Sequence, residues 1–158
     1  MTDIAWPLFG HDGAQSAFLD AYETGRLHHA WLIEGPSGIG KATLARRLAG
    51  FLLGARGPGD APLDAGPDDS IVQKLNADGH PDMRWIARRP DDKGKLKQDI
   101  PVDDIRSLVT FFGLRSANGG WRVGVIDAID ELNRSGANAI LKTLEEPPAN
   151  CALLLVSH

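Results

Sequence analysis

Residues Gly35-Pro36-Ser37-Gly38-Ile39-Gly40-Lys41 carry glycines and a lysine at the spacing G-x-x-x-x-G-K. Glycine lets the backbone turn until successive N–H groups point inward, which makes a concavity for an anion. A helix starting there adds the positive end of its dipole, and a lysine supplies a point charge to the β- and γ-phosphates. The flanks fit this chemistry. Ala30 to Ile33 (AWLI) reads as a short apolar strand before the run. Lys41 to Leu53 follows with Leu44, Leu48, Phe51 and Leu52 on one helical face. A bland glycine-rich turn with an exposed lysine is the alternative, and the strand-loop-helix context outweighs it. The segment reads as a phosphate-binding P-loop.

The next residue departs from that pattern. A P-loop that holds Mg²⁺ has a Ser or Thr hydroxyl after the lysine. Here Ala42 stands there and the hydroxyl comes one residue later, at Thr43. Successive helical residues point about 100° apart, so Thr43 does not replace the ligand and is expected nearer the α-phosphate. The acidic half of the site is expected from Val123-Gly124-Val125-Ile126-Asp127, a strand with Asp127 at the C-terminal end, where α/β sheets place ligands. In an oligomeric hydrolytic ATPase a glutamate usually follows that aspartate and polarises the attacking water. Here Ala128 follows, and Asp130 and Glu131 lie too far along the chain to take the role. The expected binding set is therefore Gly35 to Lys41, Ala42, Thr43 and Asp127, taking ATP or ADP. No residue is assigned to catalysis or to a metal site.

These residues need a scaffold, and the pattern alternates strand and helix. Phe18, Leu19 and Tyr22 suggest a first helix ending near Gly25. Met83 to Ala87 and Arg122 to Ile126 read as strands. Ile105, Leu108, Val109 and Phe112 mark a helix from Val102, with Asp103 and Asp104 favourably placed in its first turn. Ala137, Ile140, Leu141 and Leu144 mark another, closed by Pro147 and Pro148. Cys151 to Val156 is a final apolar strand. Such alternation implies right-handed crossovers and a parallel sheet covered by helices, an α/β class. Gly54 to Asp69, crowded with Gly, Pro, Ala and Asp, reads as a flexible surface insertion without regular structure. A central-looking strand so near the last residue suggests the N-terminal piece of a longer protein.

Composition narrows the function classes. The 158 residues make one domain's worth, and 17 basic against 21 acidic residues give a net charge of -4, which argues against binding nucleic acid by bulk charge. The single cysteine, Cys151, makes no internal disulfide and reads as a small buried apolar residue. No apolar run is long enough to span a membrane, and the first residues lack a secretory signal, so a cytoplasmic location is expected. His28 and His29 read as packing or capping groups near the nucleotide edge, His80-Pro81-Asp82 as a turn, and Trp31, Trp85 and Trp121 as core. The basic stretch 84–97 is a solvated loop, or alternatively touches DNA phosphates or a neighbouring subunit. Glu145 and Glu146 oppose the dipole at a helix end, which hints at a partner or an ion pair.

Asp127-Ala128-Ile129-Asp130-Glu131-Leu132-Asn133, followed by Asn138-Ala139-Ile140-Leu141-Lys142-Thr143-Leu144-Glu145-Glu146-Pro147-Pro148, resembles the bacterial clamp-loader family. So does Gly25-Arg26-Leu27-His28-His29-Ala30 before the P-loop. The likeness is closest to the delta-prime class of DNA polymerase III and runs from about Gly25 to the C-terminus, less the Gly/Pro-rich insertion. It implies an AAA+ module across residues 1–158, doubly wound with helices on both faces, with a helical lid and an oligomerisation domain further along a full-length chain. It also implies a pentameric complex, with delta and tau/gamma type subunits as partners, that places a sliding clamp on primed template DNA. Delta-prime subunits are generally poor or inactive ATPases, so no ATPase activity of its own is expected. As a holoenzyme component the chain would fall under DNA-directed DNA polymerase. The family's trans-acting arginine would follow the final strand, and Ser157 falls at its sensor position. Many members carry a four-cysteine zinc module where this chain has 54–69, so zinc is not expected. Some have lost the P-loop lysine, whereas Lys41 is kept. The competing readings are an ATP-hydrolysing motor subunit of the same complex and a stand-alone P-loop kinase.

Overall fold

A computed structural model describes residues 3–116 and 119–158. The chain runs α1 (Asp12–Glu23), β1 (Ala30–Glu34), α2 (Lys41–Leu52), α3 (Ser70–Asn76), β2 (Met83–Ala87), α4 (Val102–Gly113), β3 (Arg122–Asp127), a 3₁₀ turn (Ile129–Glu131), α5 (Arg134–Glu145) and β4 (Cys151–Ser157). The four strands pair in parallel in the order β1-β4-β3-β2. The two inner strands are buried along nearly their whole length, as their continuous apolar runs require of strands covered on both faces.

Strand alternation divides the core into two layers. Ala152, Leu154 and Val156 of β4, with Val123 and Val125 of β3, pack against Phe18 of α1 and Leu44, Leu48 and Phe51 of α2. Cys151, Leu153 and Leu155, with Ile126, meet Ile105, Leu108 and Phe112 of α4 and Ile140 of α5. Helices therefore cover both faces, and the α/β reading holds. The chain leaving β1 goes to one face and the chain leaving β3 to the other. That divergence opens a crevice at the strands' C-terminal ends. At Gly124, α4 approaches so closely that an added Cβ would lie 2.7 Å from Leu108 Cδ1 and 2.8 Å from Phe112 Cζ.

Three expectations are corrected. The stretch 54–69 has no helix or strand, but it is bound to the body rather than flexible: Ala55, Leu63 and Ala65 are buried, and Asp64 pairs with the buried Arg47. Arg47 also donates to Gln15 Oε1 at 3.1 Å and to the Trp6 carbonyl at 3.0 Å, so one guanidinium ties together four segments. Helix α3, absent from the sequence reading, starts where the Asp69 carboxylate accepts from the N–H groups of Ile71 and Val72 at 2.8 and 3.2 Å. The basic stretch is not wholly a loop, since it begins within β2; Arg84 and Arg89 are exposed and Arg88 is half-buried. Arg84 lies 4.4 Å from the centre of the Phe111 ring, Arg88 pairs with Glu131 at 2.5 Å and Arg89 with Asp104 at 2.9 Å. Lys93, Lys95 and Lys97 are exposed.

Trp31, Trp85 and Trp121 are half-buried against the first core layer. His28 and His29 stack on each other, and His29 Nε2 donates to the Leu144 carbonyl at 2.8 Å. Cys151 is buried and accepts a contact from Arg122 at 3.3 Å. Glu145 and Glu146 are exposed and, among the described residues, form no ion pair within the chain. No described helix is long and apolar enough to cross a membrane.

Candidate functional site

The loop from Gly35 to Gly40 links the end of β1 to the first turn of α2. Gly35, Gly38 and Gly40 take φ values of 149°, 86° and 94°, a backbone path that side-chain-bearing residues rarely follow. A Cβ on Gly35 would lie 2.6 Å from Ile39 Cδ1, so the loop is closed tightly on itself. Pro36, Ser37, Gly38 and Ile39 are exposed at its crest. Lys41 is 3% exposed, and its amine donates to the Gly35 carbonyl inside the loop. Its positive charge is therefore held at the centre of the glycine turn. Ala42 and Thr43 are half-buried in the first turn of α2, which has no acidic residue.

Strand register brings the acidic half alongside. Glu34 of β1 pairs with Ser157 of β4, and Val156 pairs with Asp127 of β3. Gly35, Ser157, His158 and Asp127 therefore share the C-terminal margin of the sheet, with β4 between the two halves. Burial raises the pKa of Asp127, and the Glu131 charge acts in the same direction, while His158 and Lys41 oppose both. His158 Nε2 lies 3.9 Å from Asp127 Oδ1, and its backbone N–H donates to Asp130 Oδ2 at 3.2 Å. A hydrogen bond from Ser157 holds the pKa of Asp130 below its ordinary value.

The acids after Asp127 are already engaged. Glu131 Oε1 accepts from the Ala128 N–H at 3.0 Å, and Oε2 pairs with Arg88 at 2.5 Å. Ala128 itself is fully buried. Directly after Asp127 there is thus a methyl group rather than a carboxylate, and Glu131 is tied to an arginine.

Three groups at this margin were not found by sequence reasoning. His11 Nε2 donates to the Ile39 carbonyl at 2.6 Å, and Leu8 Cδ1 lies 2.8 Å from where a Gly40 Cβ would be. His158 completes the contact with Asp127. His11 and Leu8 precede the loop by some thirty residues and belong to no spacing motif, so only tertiary placement could show them.

The arrangement suits a polyphosphate better than a metal. The glycine turn, the start of α2 and the enclosed Lys41 offer N–H groups and one positive charge. The position after the lysine offers a methyl group, which has no affinity for Mg²⁺.

Residues 10–158 match the family model described as DNA polymerase III, delta subunit. The chain is 38% identical over 130 residues to DNA polymerase III subunit delta' of Pseudomonas aeruginosa, covering 82% of this chain and 37% of that one. It is 34% identical over 137 residues to subunit delta' of Yersinia pestis, covering 87% of this chain and 38% of that one. It is also 33% identical over 148 residues to subunit tau of Salmonella typhimurium, covering 94% of this chain and 21% of that one. The chain thus spans well under half the length of each of these relatives.

Proposed function

The chain belongs to the DNA polymerase III delta-subunit family, among relatives of the delta-prime kind, and from that premise we propose that it is a clamp-loader component that holds nucleotide without hydrolysing it. In this reading it works with delta and tau/gamma type subunits, in the cytoplasm, to place a sliding clamp on primed template DNA. The AAA+ module spans residues 1–158, including the packed 54–69 segment.

The observation that carries the non-hydrolytic half is the state of the acids beside Asp127. Ala128 has no proton acceptor, and Glu131 is held by Arg88 and by the Ala128 N–H. A general base must reach the proton it takes, and a carboxylate committed to a guanidinium is a weak one. The binding half is supported by the glycine turn and by Lys41. The N–H groups of Gly38, Gly40 and Lys41, with the Lys41 amine, would hold the phosphates of ATP or ADP. Thr43 would serve the α-phosphate end, and Asp127 would face the site's polar rim. Nucleotide bound there supplies a structural anchor that ties β1 and α2 to the margin of β3 and β4.

The test is reconstitution with the natural full-length protein. Clamp loading by a complex containing it should survive Asp127→Asn, because this subunit's own turnover is not required. Loss of loading, with the complex still assembled, would instead favour the motor-subunit reading.

A further inference from the structure

We infer that His11 is a positioning residue for the phosphate loop: its ring fixes the Ile39–Gly40 peptide so that the Gly40 N–H faces into the cradle. The inference rests on the nucleotide reading of the loop and adds a specific residue to it.

A carbonyl oxygen only accepts, so the 2.6 Å contact requires a proton on His11 Nε2. The ring can supply one in either its neutral or its charged form. The Ile39–Gly40 peptide is trans, and in a planar trans peptide the C=O and the N–H point in opposite directions. A ring that holds the Ile39 oxygen outward therefore turns the Gly40 N–H inward, towards the side where Lys41 is enclosed. Without that restraint a peptide flanked by glycine at φ 94° is free to rotate, since no side chain at position 40 limits it.

Two further observations indicate that the ring is committed to this contact. His11 is the residue preceding α1, and it sits at φ 64° and ψ 18°, a region uncommon for residues with side chains. Its side chain makes no capping hydrogen bond to α1, the usual use of a polar group at that position. It reaches instead to a loop 28 residues away. Leu8 fills the space beside Gly40, so that the loop is backed on its outer side by one apolar contact and one hydrogen bond.

The experiment compares the unaltered chain with His11→Gly and His11→Gln by calorimetric titration with ATP, by thermal melting and by the backbone amide resonance of Gly40. Glycine suits the positive φ but removes the donor, whereas glutamine keeps an N–H at a similar reach. The expected result is ATP binding weakened about 3- to 10-fold in His11→Gly and restored to within about twofold in His11→Gln, with little change in melting. ATP affinity unchanged in His11→Gly overturns the inference, whatever the melting temperature does. Should the unaltered chain bind no ATP, the nucleotide reading fails. The inference is then decided by the Gly40 amide resonance in the nucleotide-free chain, which must move in His11→Gly and return in His11→Gln; a resonance that stays in place overturns it.

Discussion

At the scale of single residues, Ala42 and His80 each make a measurable claim. If the methyl group of Ala42 is what removes the metal ligand, Ala42→Thr should tighten ATP binding about tenfold in the presence of Mg²⁺ and leave it unchanged with chelator. Titration under both conditions checks this, and equal tightening in both would show that the hydroxyl acts on something other than the metal. His80 is 7% exposed, and its Nδ1 accepts the Asp82 N–H at 3.0 Å, a bond available only to an unprotonated Nδ1. Burial lowers its pKa from 6.5, more than the Asp82 charge raises it. In the unfolded chain the ring therefore takes up a proton at higher pH than in the folded one. The folded state should be at full strength above about pH 6.5 and lose stability as pH falls below it. His80→Asn, whose side-chain oxygen can accept the same N–H without titrating, should flatten that part of the stability profile in denaturant titrations. An unchanged slope would assign it to other groups.

At the scale of elements, the fit of α4 on β3 is the most demanding contact. Gly124→Ala puts a methyl group within 2.8 Å of both Leu108 and Phe112, which cannot both yield without moving α4. The expected cost is about 1–3 kcal/mol, seen as a melting midpoint lowered by about 3–10 °C. A variant as stable as the unaltered chain would mean that α4 has slack here. The strands and the four longer helices were legible because apolar periodicity was continuous in each of them. Helix α3 was not, since it is one short element whose capping Asp69 lies within a Gly/Pro-rich run. The packing of 54–69 was hidden for a related reason. Its anchor is the Arg47–Asp64 pair, and a buried arginine in an amphipathic helix looks in sequence like an exposed one. The glycine loop between β1 and α2 and the place of Asp127 at the end of β3 were legible from glycine spacing and strand pattern. The ring of His11 and the tie of Glu131 to Arg88 were not, because both join residues distant along the chain.

At the scale of the whole molecule, the two core layers set the site. They bring the end of β1 and the end of β3 to one margin, separated by a strand that ends in Ser157. The margin has a glycine-rich loop with an enclosed lysine and an acid with raised pKa; Ala42 follows the lysine where a hydroxyl would hold a metal, and Glu131 is tied to Arg88. The proposed function has nucleotide retained here as a structural element. It is tested most directly by equilibrium titration of this chain with ATP, with and without Mg²⁺, followed by a turnover assay on the same sample. The account predicts saturable binding that is largely independent of Mg²⁺, lost in Lys41→Ala, with no turnover. Steady release of phosphate by the unaltered chain, abolished in Lys41→Ala, would contradict it.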